Sequence, residues 1–149
     1  MDLLTALRHE IAGLDFSQAL QKTVSFLRKT VAQYNWVGIY MIEGDALVLR
    51  AWDGPEATEH VRIPIGQGIC GLAAREKRTV IVGDVNADPR YLACFPYTRS
   101  EIVVPIMKGT TVLGEIDIDS DTLHAFTEKD REFLEGVAAL LGERYVRDQ

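Results

Sequence analysis

Two runs of alternating residues near the C-terminus limit the fold more than any other feature. Ile102, Val104 and Ile106 alternate with Glu101, Val103 and Pro105, and Val112, Gly114, Ile116 and Ile118 alternate with Glu115, Asp117 and Asp119. Successive side chains of a strand point to opposite faces, so each run presents one apolar face. Setting both apolar faces on one core fixes the parity of their pairing. A three-residue loop, Lys108-Gly109-Thr110, satisfies that parity and sets Ile102 opposite Ile116 and Glu101 opposite Asp117. Glu101, Asp117 and Asp119 then collect on one side of an antiparallel hairpin. Two readings of that side stay open. It is the solvent face of a half-buried hairpin, or the three carboxylates meet under the long loop that precedes them. Like charges crowded in low dielectric need a cation or a shared proton, and an amine-bearing ligand supplies the cation.

The rest of the chain supplies more strands and two helical ends. Asn35 to Ile42 is β-prone, Glu43-Gly44-Asp45 reads as a turn, and Ala46 to Trp52 is the returning arm. A third strand is predicted from His60 to Ile65, a short helix from about Ile69 to Glu76, and a fourth strand from Thr79 to Val82. The loop from Gly83 to about Arg99 is long enough to suggest function, and Tyr91, Leu92, Cys94, Phe95 and Tyr97 argue against its disorder. At the N-terminus, Leu3, Leu4, Leu7 and Ile11 recur at helical spacing up to Gly13. Asp15 or Ser17 then caps a helix striped by Phe16, Leu20, Val24, Leu27 and Val31. Thr127 caps a last helix with Phe133, Val137, Leu140 and Leu141 on its apolar face. The pattern predicts one α/β (α+β) domain over residues 1–149. Its mostly antiparallel central sheet carries the N- and C-terminal helices on one face and the long ligand loop on the other. Leu3, Leu7, Leu140 and Leu141 exceed what one sheet face needs, which suggests a homodimer contact.

Composition removes several function classes. The chain has 149 residues and a net charge of −6. An acidic domain repels phosphate backbones and anionic lipid, so neither nucleic acid nor membrane is an expected partner. No apolar run approaches the ~18 residues of a membrane span, and no basic segment opens the chain. Cys70 and Cys94 are the two cysteines, a number that suits free or redox-active thiols in a cytoplasmic protein. His9, His60 and His124 are scattered and the cysteines fall in different elements, so no metal site is expected. Gly66-Gln67-Gly68-Ile69-Cys70-Gly71 matches the dinucleotide fingerprint G-x-G-x-x-G, but the surrounding strands form hairpins rather than parallel βαβ units. The glycines are better read as a tight strand-to-helix turn, and no cofactor is expected. That turn sets Cys70 near a helix N-terminus, where amides favour a thiolate, unless Cys70 is a small core residue.

The stretch from Gly66 to Ser120 resembles a GAF domain, a small-molecule-binding relative of the PAS fold. The resemblance is carried by Gly66-x-Gly68-Ile69-x-Gly71, Asp84-Val85, Asp88-Pro89-Arg90-Tyr91-Leu92, Ser100-Glu101-Ile102-Val103-Val104-Pro105-Ile106, and Leu113-Gly114 leading to Asp117-Ile118-Asp119-Ser120. A narrower resemblance is to the free methionine-(R)-sulfoxide reductases. It rests on Asn35-Trp36, on Gly66 to Gly71, and on Leu92-Ala93-Cys94 before Glu101, and it sets both cysteines at family cysteine positions. The chain departs from that pattern at His60, where the family has a third cysteine, at Phe95, and between Arg50 and Gly54. The resemblance implies that the Cys94 thiolate attacks the sulfoxide sulfur while Glu101 and Asp119 hold or protonate the oxygen. Asp117 takes the substrate ammonium and Trp36 packs on the methyl end. The sulfenic acid on Cys94 then condenses with Cys70, and a thioredoxin-type reductant reopens the disulfide. The broader resemblance leaves a second function class: a non-enzymatic module that senses a nucleotide or other small metabolite.

Overall fold

The computed structural model describes residues 2–91 and 95–145. Its helices start where polar side chains can satisfy free backbone amides. Asp2 accepts from the Thr5 amide ahead of α1 (Leu3–Ile11). Asp15 and Gln18 form a reciprocal capping box on α2 (Phe16–Thr30). The Asp130 carboxylate accepts from the amide and hydroxyl of Thr127 at the head of α4 (Glu128–Arg144). The same carboxylate takes the Tyr34 hydroxyl at 2.6 Å, tying that helix to the entry of the sheet.

Six strands follow the predicted order: β1 (Trp36–Glu43), β2 (Ala46–Asp53), β3 (Arg62–Pro64), β4 (Val80–Val82), β5 (Ser100–Lys108) and β6 (Thr111–Ser120). They form one sheet in the order β3-β2-β1-β6-β5-β4, with every pair antiparallel. The third strand is shorter than the expected His60 to Ile65. The turn between β5 and β6 also differs from the expected three-residue loop, because Lys108 pairs with Thr111 around Gly109-Thr110. A two-residue turn alone would invert the parity of the hairpin. A register shift after Ile106 restores it, since Ile106 faces Gly114 and Met107 faces Val112, leaving Leu113 as the extra residue. The net result moves the pairing by two residues: Ile102 lies opposite Ile118, and Glu101 opposite Asp119.

Both faces of the sheet are covered. On one, Val37, Ile39, Ile102, Val104, Ile106, Ile116 and Ile118 pack with Leu7, Ile11, Leu20, Val24, Leu27, Leu134, Val137 and Leu141 of α1, α2 and α4. That core takes up Leu7, Leu140 and Leu141, so the surplus apolar surface invoked for a dimer reduces to Leu3. On the other face, α3 (Gly68–Glu76) lays Ile69, Cys70, Leu72 and Ala73 over Tyr40, Leu47, Ile63, Val80 and Val103. No helix among the described residues is long and apolar enough to cross a membrane.

The glycine string delivers α3 to this face. The Gly66 amide donates to the Gly71 carbonyl at 2.9 Å, so helix and incoming turn touch through backbone. A Cβ on Gly71 would stand 2.7 Å from the Gly66 nitrogen and 2.8 Å from the Pro64 oxygen. The motif is therefore a packing turn, and no parallel strand pair exists among the described residues to support a dinucleotide site. Gly71→Ala should lower stability by about 1–3 kcal/mol, the usual cost of overpacking, whereas Gly13→Ala, with nothing within 4 Å of the added carbon, should be close to neutral. Paired chemical-denaturation curves check this.

Candidate active site

The alternation that gives β6 an apolar face puts Glu115, Asp117 and Asp119 on the opposite face, under α3. Glu101 of β5 joins them as the cross-strand partner of Asp119, and Trp36 of β1 flanks Asp119 on its other side. These acids are not on a solvent face. Glu101 is 4%, Glu115 0%, Asp117 1% and Asp119 2% exposed, which excludes the solvent-face reading; the cover is α3, where the sequence suggested the long loop. Asn35 pins the end of the ladder: its amide donates to the Asp119 carbonyl at 3.0 Å and its Oδ1 accepts from the Asp121 amide at 2.8 Å.

Burial dominates the electrostatics. Counted as carboxylates, both oxygens of Glu115, both of Asp119 and Oδ1 of Asp117 lack a hydrogen-bond donor. Two acids can bond each other only when one holds a proton. With protons retained, Glu101 is placed to share one with Asp117 and with Asp119, and the Cys70 thiol is placed against Glu115 and Asp117. Desolvation pushes Glu115 and Asp119 well above the ordinary carboxylate range, and the charge of Asp117 adds to both shifts. Asp117 is also raised by burial, against the opposing pull of Glu101, Cys70 and His60. Among the described residues, no lysine or arginine pairs with Glu115, Asp117 or Asp119.

Cys70 is the third residue of α3, as the glycine turn predicted, but it does not gain a stabilised thiolate there. The thiol is buried, and burial followed by the charges of Asp117, Glu115 and Glu101 pushes its pKa well up. The nearby carboxylates outweigh the helix amides. One ligand atom each from Cys70, Glu101 and Asp117 falls within 4.8 Å of the others. The scatter of histidines and cysteines along the chain gave no sign of this donor set, because its members come from three separate elements.

A narrow cleft with a cavity volume of only ≈ 10 Å³ reaches Cys70, Glu101 and Asp117, walled by Ile63, Gln67, Gly68 and Ile69. On the same face of the sheet, beside Asp119, stands an aromatic group. Trp36 stacks on Trp52 at 6.4 Å between ring centroids and meets Phe95 at 6.0 Å, while its Nε1 donates to the Glu56 carbonyl at 3.1 Å. Trp36 can lie along the sheet because Gly38 has no side chain; a Cβ there would be 2.4 Å from the indole. Phe95 stacks in turn on Tyr97, whose hydroxyl donates to Glu56 at 2.8 Å.

The fold thus gathers Cys70, Glu101, Asp117, Asp119 and Trp36 on one face of the sheet. Cys94 lies outside the described residues. Glu115 was missed as a site candidate, although the signal was present: it occupies the same alternating row as Asp117 and Asp119.

A buried acidic ladder under a short helix, on an antiparallel sheet in the order 3-2-1-6-5-4, defines the class of α/β domain to which the chain belongs. The GAF domain model matches residues 15–144, and the chain belongs to the GAF domain family. A GAF domain-containing protein A of Dictyostelium discoideum is 36% identical over 141 residues, covering 93% of this chain and 83% of that protein. The free methionine-R-sulfoxide reductase of Escherichia coli is 35% identical over 126 residues, covering 85% of this chain and 75% of that protein. The crystal structure of free methionine-R-sulfoxide reductase from Neisseria meningitidis in complex with its substrate superposes with a TM-score of 0.89 at 37% identity, over 95% of this chain and 85% of that one. The chain is therefore homologous to free methionine-R-sulfoxide reductases within the GAF family.

The raised pKa of Glu115 carries a stability consequence. Below about 4.5 both the folded and unfolded chains hold this proton, and the group is neutral in the balance. Above it the unfolded chain ionises while the folded chain does not, so stability falls as pH rises towards the folded pKa. Glu115→Gln keeps the shape and removes the titration. It should raise stability by roughly 0.5–2 kcal/mol near neutral pH, within the range of single stabilising changes, and the gain should fade below about pH 4.5. Thermal melts of both proteins across that range check the sign.

Proposed function

We propose that this protein reduces free methionine-(R)-sulfoxide to methionine, with Cys94 as the nucleophile. The observation that carries the reading is the buried carboxylate row on the face of the sheet that also carries Trp36, with no lysine or arginine partner for Glu115, Asp117 or Asp119 among the described residues. Such a row suits a small substrate that brings its own cation and a polar S=O group. Homology to free methionine-R-sulfoxide reductases supports the choice of substrate. Further support for Cys94 comes from its neighbour in the chain, Phe95, which is buried against Trp36.

In this mechanism Asp117 receives the substrate ammonium and Trp36 packs on the methyl end. Glu101 and Asp119 hold the sulfoxide oxygen, and a carboxylic acid at this point protonates it as the S–O bond breaks. Crowding and burial favour that protonated form in Asp119. The thiolate of Cys94 attacks sulfur. The net step converts thiol plus sulfoxide into sulfenic acid plus thioether, so the cysteine is oxidised as the substrate is reduced. Condensation of that sulfenic acid with the Cys70 thiol forms a disulfide and releases water. A thioredoxin-type dithiol then restores both thiols by two exchanges.

Because burial and the acids keep Cys70 protonated, condensation is the slow step. The first turnover should therefore appear as a burst of about one methionine per chain. Cys94→Ser should abolish reduction, whereas Cys70→Ser should retain the burst and lose subsequent thioredoxin-coupled turnover. Asp117→Asn should raise KM by about 10–100-fold, the worth of a charge-assisted hydrogen bond, with a smaller effect on kcat. NADPH consumption with thioredoxin and its reductase, together with rapid-quench methionine release, measures all three. Full turnover by the Cys94→Ser protein would overturn the mechanism. An inert wild-type protein that binds a nucleotide or another metabolite in the cleft would instead assign it to the sensory modules.

A further inference from the structure

The cluster at the floor of the cleft has a feature that sulfoxide chemistry does not use. Cys70 offers a soft sulfur donor in the same small space as two hard oxygen donors, Glu101 and Asp117, with one atom from each within 4.8 Å of the others. All three are buried. Asp117 lines the cleft, is 1% exposed, and has no hydrogen-bond donor to its Oδ1. Around a tetrahedral zinc, sulfur and oxygen ligands stand about 3.3–3.5 Å apart, as bond lengths of ~2.3 and ~2.0 Å require. The three side chains reach that spacing with movements on the order of an ångström. The cleft's volume of ≈ 10 Å³ is about that of one solvent molecule, the fourth ligand. Neighbouring Glu115 and Asp119, which have no lysine or arginine partner among the described residues, hold protons that a bound cation could displace.

We propose that Cys70, Glu101 and Asp117 form a site for a thiophilic divalent cation, of the zinc or cadmium class, that closes the cleft to its substrate. Sulfur selects against magnesium and calcium, which prefer all-oxygen shells. Bound metal replaces the thiol proton of Cys70 and any protons held by the two carboxyls, so binding releases protons to solvent. It occupies the carboxylate assigned above to the substrate ammonium. Metal binding stands on these three residues alone; only its competition with sulfoxide rests on the functional reading of the cleft.

Cobalt(II) is a suitable probe, because a cobalt–thiolate bond gives a charge-transfer band in the near ultraviolet. The full chain, reduced and kept anaerobic with a non-thiol reductant, is titrated with Co²⁺ and then back-titrated with Zn²⁺. One equivalent should bind with that band, and Zn²⁺ should bleach it. Cys70→Ser should lose the band, and Asp117→Asn and Glu101→Gln should each weaken binding at least about tenfold, while Cys94→Ser keeps both signals. Circular dichroism of each variant establishes that it is folded. Absence of a band in the wild type, or its persistence in folded Cys70→Ser, overturns the site. Displacement of Co²⁺ by methionine-(R)-sulfoxide supports the shared cleft. Cobalt binding that sulfoxide does not disturb keeps the metal site and removes the competition. Sulfoxide reduction by a protein that binds no cobalt overturns the metal site and leaves the proposed reductase function standing.

Discussion

The constraint on which the rest of this structure depends is the burial of four carboxyl groups on one face of a sheet. Glu101, Glu115, Asp117 and Asp119 lie within two adjacent strands, and none is more than 4% exposed. Taking acids out of water costs several kcal/mol each unless they are neutralised or paired. The acids cannot supply that stability themselves, so the same strands must gain it on their other side. Ile102, Val104, Ile106, Ile116 and Ile118 alternate with them and pack against three helices. The division of labour is built into the period of the strand: Ile102, Val104, Ile106, Ile116 and Ile118 hold the sheet, and Glu101, Glu115, Asp117 and Asp119 build the site. Beyond the bulge the parity reverses, and Leu113 joins the helix-side core and Val112 the α3 side.

That period also decides what the sequence can reveal. Alternation makes the two faces of the hairpin legible, and with them the parity of its pairing. It does not make the register legible. Changing the three-residue loop to two residues and adding Leu113 as a bulge preserves parity and still moves Glu101 from Asp117 to Asp119. Burial of the acidic face was illegible for a different reason. A strand shows which side is polar but not whether something covers it. The cover is α3, whose position depends on backbone contact between Gly66 and Gly71. The G-x-G-x-x-G string is visible in the sequence, while the face to which it delivers the helix is not. The same gap misled the reading of Cys70. Its place in the first turn of a helix was correct, but the dominant charges around it come from β5 and β6.

Strands rather than loops carry the acids, and this has a mechanical consequence. Residues two apart on β6 project about 6.6–6.8 Å from one another, and cross-strand neighbours about 4.5–5.5 Å. Hydrogen bonding on both sides holds β6 between β1 and β5. Spacing between the carboxyls is therefore set by the backbone ladder and cannot relax when they ionise. A loop would spread to relieve the repulsion; a central strand stores it as raised proton affinity. Asn35, bonded to the Asp119 carbonyl and the Asp121 amide, stiffens the one end where β6 would otherwise fray.

A site so constrained is defined less by one ligand than by the positive charge it lacks. Protons satisfy it in the resting protein, because they can be shared between acids and with the Cys70 thiol. In the proposed reaction an ammonium group would satisfy it through Asp117 and would leave protons on the remaining acids for work on a polar bond. The proposed thiophilic metal would satisfy it by displacing protons from sulfur as well as from oxygen. These three occupants differ in what they ask of Cys70: the first two leave it a thiol, and the third makes it a thiolate. The residue that looked most like a core cysteine by its burial is thus the one that distinguishes the possible counter-ions. Its raised proton affinity disfavours the bare thiolate while leaving metal ligation open, since a cation compensates the same field that resists ionisation.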